Sequence, residues 1–437
     1  RSGRGAVHLL RRCGATAIAF DDRAAADLPS DVVAELAEGD VELRVARDDV
    51  RGAVSRLHAL VVSPGVPGDH PLVVAAEAAG LPVIGELELA ARRLRARVLA
   101  VTGTNGKSTT VSLVHAILEA AGRESALVGN IGTAVSDHVG RVSENGWLVI
   151  EASSFQLERV EFFAPEAAAV LNLAPDHLDR YPSFEAYGEA KRNIIRRAGT
   201  YVFPVDDPIV APWAETSPAR PAPFSWTAHP EAVAWLDGDE LFRRREQGTE
   251  RVLGVDDIPL VGRHNVANVL AAIALVDVCD VPAEAIATAV GGFVGLEHRA
   301  VTVPSGDGLT WIDDSKATNV HAAAATLAGL DGPVIPLFGG RGKGEDYAPL
   351  AAFADRVRVA ICFGEEGKAI AGAIGAAMPV EVVARMTDAM ERAAARAEAG
   401  DVVLLGPACA SFDEFRSFGE RGDVFRAWVE GNRGGRR

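Results

Sequence analysis

The segment Val98-Leu-Ala-Val-Thr-Gly-Thr-Asn-Gly-Lys107-Ser108-Thr109-Thr110 constrains the fold more than any other stretch of the chain. It reads as a short buried β-branched strand, a glycine turn and the first turn of a helix. Backbone N–H groups at such a helix start have no intrahelical partner, so together they form a cradle for phosphate oxygens. Lys107 would reach the terminal phosphates, and the Ser108 hydroxyl could ligate Mg²⁺. Val101 stands where the first glycine of G-x-x-x-x-G-K-[ST] belongs. The plainer alternative is an ordinary strand-to-helix turn with a solvated lysine.

With 437 residues the chain exceeds one core and calls for several domains. Hydrophobic residues make up 48% and charged residues 24%, an ordinary globular balance. A formal net charge of −16 leaves no basic face for nucleic acid, although a local cradle can still oppose the global sign. Cys13, Cys279, Cys362 and Cys409 are scattered without a C-x-x-C pair, which fits a reducing, cytoplasmic compartment and no zinc ribbon. No apolar run approaches the length of a membrane-spanning helix, and no secretory leader is expected. The chain opens directly on a helical pattern after a glycine, where a strand would ordinarily come first, so a first strand is expected to be missing.

The whole chain reads as α/β, with three domains each built on a mainly parallel sheet: a Rossmann-like unit over 1–94, a phosphate-loop unit over 95–295 and a second Rossmann-like unit over 296–437. In the first, strands are expected at Thr16–Phe20 and Ala59–Val62, and helices at Pro71–Ala79 and Glu86–Leu94. In the second, strands are expected at Val98–Thr102, Leu148–Ile150 and Ala168–Leu171, antiparallel excursions over Ser217–Pro259, and a long helix from Asn265 to about Asp280. In the third, strands are expected at Thr310–Ile312, Val334–Phe338, Val359–Phe363 and Val402–Leu405.

Polar loops follow many of these strands, where open α/β sheets bind ligands. Glu151 ends the apolar run from Trp147, where a phosphate-loop enzyme holds Mg²⁺; a carboxylate capping a strand is the plainer reading. His177, flanked by Asp176 and Asp179, follows another strand and reads equally as a metal ligand or a structural histidine. Lys191 lies in a helical pattern, where a surface lysine is the simplest reading. Arg299 could clamp a phosphate or ribose. Asp314-Ser-Lys316-Ala-Thr318-Asn319, Gly339-Gly-Arg-Gly-Lys343 and Gly406-Pro-Ala-Cys-Ala-Ser411-Phe412 form a second polar edge.

In order, T-G-T-N-G-K-S-T, E-x-S-S-F-Q-L (from Glu151), N-x-x-x-D-H-L-D (from Asn172), G-x-H-N-x-x-N (from Gly262), His298-Arg299 and D-S-K-A-T-N (from Asp314) resemble the Mur ligase family over essentially the whole chain. The ending around Ser411 is similar to the branch that adds D-glutamate to UDP-N-acetylmuramoyl-L-alanine, with Gly406 where that branch carries serine. The resemblance implies an ATP-dependent amide ligase, expected to be monomeric, with those two small-molecule substrates. It implies that Gly103, Thr104, Asn105, Gly106, Lys107, Ser108 and Thr109 hold the ATP phosphates. It also implies that Asn265 and Asn268 contact adenine, and Arg299 and Asp314 ribose and phosphate. Two Mg²⁺ ions, with Mn²⁺ as an alternative, would sit on Ser108 and Glu151 and on His177 and Lys191, the latter as a carbamate. Lys316 would face the transferred phosphoryl group. Thr318, Lys343, Ser411, Phe412 and Phe418 would receive D-glutamate. Ser2, Asp21, Asp22, Arg23 and Gly65 would hold the uridine nucleotide, with Asn130 and His177 at the muramoyl end. A related ligase, such as another muropeptide or folylpolyglutamate synthase, and a non-ligating nucleotide-binding regulator are the competing readings.

Overall fold

Alternating apolar side chains on parallel strands are buried on both faces only when helices cover both sides of the sheet, and that pattern organises the molecule. The computed structural model describes residues 2–45, 52, 54–260, 262–306, 308–330 and 332–433. Near the start, β1 (Ile18–Asp21) pairs in parallel with β2 (Glu42–Val45), and β3 (Leu60–Val62) with β4 (Val83–Gly85). Among the described residues these two pairs do not join, so the single doubly wound sheet expected here is two short ribbons. A cavity of about 1700 Å³ lies between them, lined by Ala17, Ala19, Leu43 and Val61 among others. The apolar clusters of this region are small and centre on Val54, Leu72 and Val73 and on Ala17, Leu36 and Val41.

The middle of the chain builds a nine-stranded sheet from β5 (Arg97–Thr102), β6 (Ser125–Gly129), β7 (Trp147–Glu151), β8 (Ala167–Val170), β9 (Thr200–Pro204), β10 (Arg220–Ser225), β11 (Ala234–Asp237), β12 (Glu240–Arg245) and β13 (Gly248–Gly254). Its order is β13-β12-β11-β10-β9-β8-β5-β7-β6. The excursion expected over Ser217–Pro259 is partly parallel, since β10 continues the parallel run beside β9 and only β11 to β13 form an antiparallel meander. Along β5, Leu99 and Val101 enter one core with the helices Lys107–Ala120 and His264–Leu275, while Val98 and Ala100 enter another with Ile150, Val170 and Ile194. That alternation is the period of two of a strand buried on both faces. The helix expected to reach Asp280 ends at Leu275 and tightens into a 3₁₀ turn, Val276–Cys279, before Asp280 adopts a left-handed conformation.

The last part forms a six-stranded sheet of order β14-β15-β19-β16-β17-β18, from β14 (Val301–Val303), β15 (Thr310–Asp313), β16 (Val334–Gly339), β17 (Ala360–Phe363), β18 (Val380–Val382) and β19 (Val402–Ala408). Only β14 runs antiparallel. Two apolar cores flank it, one on Ile312, Phe338 and Leu404 and the other on Trp311, Leu337 and Leu405. β5 lies between β7 and β8, and β19 lies between β15 and β16, so each sheet has a crevice at the carboxyl ends of its central strands.

Candidate active site

The turn after β5 uses glycine where other residues would fail. Gly103 has φ +149° and Gly106 has φ +83°, and a Cβ on Gly106 would collide with Asn268 Oδ1. The turn is pinned from the strand-end loop of β8. Asn105 N–H donates to Asn172 Oδ1 at 2.9 Å, Asn172 Nδ2 donates to Asn105 O at 3.1 Å, and Thr104 Oγ1 donates to Ala174 O at 3.1 Å. Asn268 and Asn265 are buried under the turn, joined by a 3.0 Å hydrogen bond, and Thr110 donates to Asn268 at 3.4 Å.

Two lysines share this turn. Lys107 Nζ donates to Gly103 O at 2.9 Å and Thr104 O at 2.8 Å, so the loop carbonyls hold the ammonium a phosphate would otherwise meet. Burial lowers its pKa. Lys191 is buried, not on the surface. Its Nζ donates to Gly103 O at 2.7 Å and sits 4.6 Å above the Tyr187 ring. Burial, with the charge of Lys107 added, pushes its pKa well below the ordinary value. His177, held at φ +56°, packs edge-on to Phe155 at 4.9 Å, and burial lowers its pKa too.

Glu151 ends β7 at the crevice. Burial disfavours its charge, but Lys107 and a 2.7 Å hydrogen bond from Asn130 Nδ2 outweigh that and hold the carboxyl below its ordinary value. Its Oε2 is buried without a hydrogen-bond partner. An orphaned buried carboxylate oxygen suits a hard divalent cation, so Glu151 with the Ser108 hydroxyl would fit a Mg²⁺ ion. His177 and a lysine amine do not by themselves suit a hard cation, whereas a carbamate on Lys191 would supply oxygen ligands. Among the described residues no group of three or more His, Cys, Asp or Glu side chains is arranged as a metal cage.

The third sheet meets this turn directly. Arg299 Nη2 donates to Ser108 Oγ at 2.7 Å. Lys343 Nζ lies 2.9 Å from Asp176 Oδ1, a largely buried ion pair that outweighs desolvation and keeps Asp176 below its ordinary pKa. Asn319 Nδ2 donates to Asp176 Oδ2 and to Asn105 Oδ1, each at 3.2 Å. Asp314 takes hydrogen bonds from Thr326 Oγ1 at 2.6 Å and Ala300 N–H at 3.3 Å, and burial pushes it up to about 7. Lys316 Nζ sits 3.9 Å over the Phe418 ring, and burial brings it down to about 7. Thr318 and Phe418 are half-buried beside this cluster, Ser411 is buried, and Phe412 is exposed.

The residues from the first part form a separate group. Asp21 and Arg23 pair at 2.9 Å at the end of β1, Asp22 faces His70 at 3.1 Å, and Gly65 is exposed on the turn after β3. Ser2 opens the first helix, whose Gly3 lies against Ser63 of that turn. Sequence reasoning singled out neither Asp176 nor Asn172 as a site residue, although both lie inside quoted motifs. It passed over Tyr187 and Arg421 altogether, which carry no local signal beyond helical spacing.

Comparison with known proteins agrees with this arrangement. Residues 101–276 match the Mur ligase middle domain, and residues 298–409 match the Mur ligase glutamate ligase domain. The chain is 40% identical over 441 residues to a UDP-N-acetylmuramoylalanine–D-glutamate ligase from Acidobacterium capsulatum, covering 99% of this chain and 95% of that one. It is 38% identical over 446 residues to the same-named ligase of Salinibacter ruber, covering 98% and 96%. In fold it is similar to a UDP-N-acetylmuramate–alanine ligase from Thermotoga maritima, with a TM-score of 0.60 at 18% identity, covering 98% and 97%.

Proposed function

This chain belongs to the Mur ligase family, and we propose that it joins D-glutamate to UDP-N-acetylmuramoyl-L-alanine at the expense of ATP, a cytoplasmic step in building peptidoglycan precursors. The observation that carries this reading is that loops of the last sheet reach the phosphate turn and the loop beside it, Arg299 donating to Ser108 at 2.7 Å and Lys343 pairing with Asp176 at 2.9 Å, since a nucleotide switch has no need of an acceptor pocket. The alanyl carboxylate of the first substrate attacks the γ-phosphorus of ATP, forming an acyl phosphate and releasing ADP. The amine of D-glutamate then attacks the acyl carbon, the C–O bond to phosphate breaks, and the amine proton leaves to solvent or a nearby base.

Anions must meet in the first step, so positive charge has to converge there. Lys107 and the turn's N–H groups hold the β- and γ-phosphates, and Lys316 faces the phosphoryl group. Arg299 and Asp314 hold the ribose and phosphate end, with Asn265 and Asn268 toward adenine. Mg²⁺ held by Ser108 and Glu151, and a second ion held by His177 and carbamylated Lys191, would neutralise phosphate charge when bound. The carbamate forms when the neutral Lys191 amine adds to CO₂ and loses one proton. Thr318, Lys343, Ser411, Phe412 and Phe418 receive D-glutamate. Ser2, Asp21, Asp22, Arg23 and Gly65, in the unit spanning 1–94, hold the uridine nucleotide, and Asn130 and His177 reach the muramoyl end. The unit spanning 95–295 binds ATP and that spanning 296–437 the amino acid. Closing the units around the site excludes the water that would hydrolyse the acyl phosphate.

A coupled ADP-release assay tests this. ADP release that requires both UDP-N-acetylmuramoyl-L-alanine and D-glutamate supports the ligase. Release that ignores D-glutamate favours the regulator, and release with a different acceptor favours another ligase of the same architecture.

A further inference from the structure

Arg421 is a fully buried side chain in the first turn of the helix Phe418–Arg433, and the roles above give it no task. Its Nε donates to Ser315 Oγ at 2.9 Å, and its Nη2 donates to Ser315 O at 2.8 Å and Cys409 O at 3.1 Å. The Ser315 hydroxyl passes the connection on, donating to Phe418 O at 2.8 Å. A Cβ on Gly340 would stand 3.2 Å from Nη1, so the same guanidinium abuts the loop after β16. One side chain therefore touches the loops after β15, β16 and β19. Those loops carry Lys316 and Thr318, then Lys343, then Ser411.

The charge is as unusual as the position. Among the described residues Arg421 has no carboxylate within ion-pair distance, its hydrogen bonds go to carbonyls and a hydroxyl, and Nη1 is buried without a partner. Asp313, Asp413 and Glu414 act on it only at longer range. Burial lowers its pKa to about 10, which still leaves it charged at neutral pH. It also sits at the positive end of its own helix, where a cation is disfavoured unless an anion lies nearby. A desolvated guanidinium without a counterion is costly and calls for one. The three loops it touches carry Thr318, Lys343 and the buried Ser411, which are among the residues proposed to receive the acidic acceptor.

We propose that Arg421 is the positioning residue of the acceptor pocket, fixing its three loops on one another and supplying from beneath the uncompensated charge that selects an acidic amino acid over its neutral amide. This rests on the reading that the pocket receives D-glutamate. Arg421 itself is out of reach of the substrate and acts through the loops and through its field.

The test compares wild type with Arg421→Lys and Arg421→Met, measuring KM for D-glutamate and for ATP, the kcat/KM ratio of D-glutamate to D-glutamine, and thermal unfolding. Arg421→Met is expected to raise KM for D-glutamate at least tenfold, leave KM for ATP within threefold, and reduce discrimination against D-glutamine at least tenfold. Arg421→Lys keeps the charge but cannot span three loops, so it should raise KM for D-glutamate while retaining most of the discrimination. The inference is overturned if a folded Arg421→Met keeps wild-type KM and discrimination, or if both KM values rise together. Should Arg421→Met fail to fold, Arg421→Lys decides alone: unchanged KM for D-glutamate, or discrimination lost along with affinity, overturns the inference. A wild type that uses no acidic amino acid refutes the functional reading itself and the inference with it, whereas failure confined to the variants refutes only the inference.

Discussion

Removing Lys343 tests the acceptor site most informatively, because its ammonium is already committed in the free protein. It pairs with Asp176 at 2.9 Å, with the two side chains 14% and 8% exposed. At an effective dielectric constant of about 20, the attraction between unit charges at that separation is about 6 kcal/mol, most of which desolvation offsets. What remains for a charge-assisted hydrogen bond is about 1.5–3 kcal/mol. If the D-glutamate carboxylate takes over that contact, Lys343→Ala should raise KM for D-glutamate by roughly 10- to 150-fold, at about 1.4 kcal/mol per factor of ten. KM for ATP should stay within threefold. The complication is that the same pair joins the middle and last sheets, so a loosened closure would also weaken binding. Asp176→Asn is the control, because it breaks the ion pair while leaving the ammonium free for substrate. The assay is ADP release with each substrate varied in turn. The reasoning is refuted if Lys343→Ala moves both KM values equally, or if Asp176→Asn raises KM for D-glutamate as far as Lys343→Ala does.

Lys191→Ala should abolish turnover, bicarbonate should not restore it, and formate or acetate should restore part of it by replacing the lost oxygen ligand; near-normal turnover in the variant would end the carbamate proposal. Asp314, raised in the fold from 3.8 to about 7 by burial, holds its proton in the folded chain after the unfolded chain has lost it. Its contribution is therefore complete below about pH 4 and is lost as pH rises through 7, a loss of about 2 kcal/mol between pH 5 and 7. Urea unfolding of Asp314→Asn should show a correspondingly shallower decline across that window, and a decline parallel to wild type would contradict the assignment. We further expect the last sheet to swing as a rigid body about residues 295–299, so small-angle scattering should change when nucleotide and both substrates are added; an unchanged profile would count against closure.

What could be read from the residues and what could not divides along sequence separation. The strand, turn and helix around Gly103–Lys107 are written locally, in β-branched residues, in glycines at left-handed positions and in an unpaired helix start, so this strand–turn–helix unit was legible. So were most strands of the last sheet, because each is a short apolar run closed by a polar loop. Lys191 was not legible from its own helix. Its burial follows from Gly103, 88 positions earlier, and from the Tyr187 ring beneath it. The pairing of Lys343 with Asp176 spans 167 positions, and Arg421 meets Ser315 across 106. No window of sequence contains such partners. The two separate ribbons near the start were missed for a related reason: short apolar runs announce strands but not which neighbours they pair with.

The central claim is that a carboxylate is activated by phosphoryl transfer and then captured by an amine, and oxygen tracing tests it directly. UDP-N-acetylmuramoyl-L-alanine carrying ¹⁸O in both oxygens of its alanyl carboxylate would be turned over with ATP and D-glutamate. The released phosphate should carry one ¹⁸O per product formed, with the other retained in the new amide. Product formed with unlabelled phosphate would contradict the account.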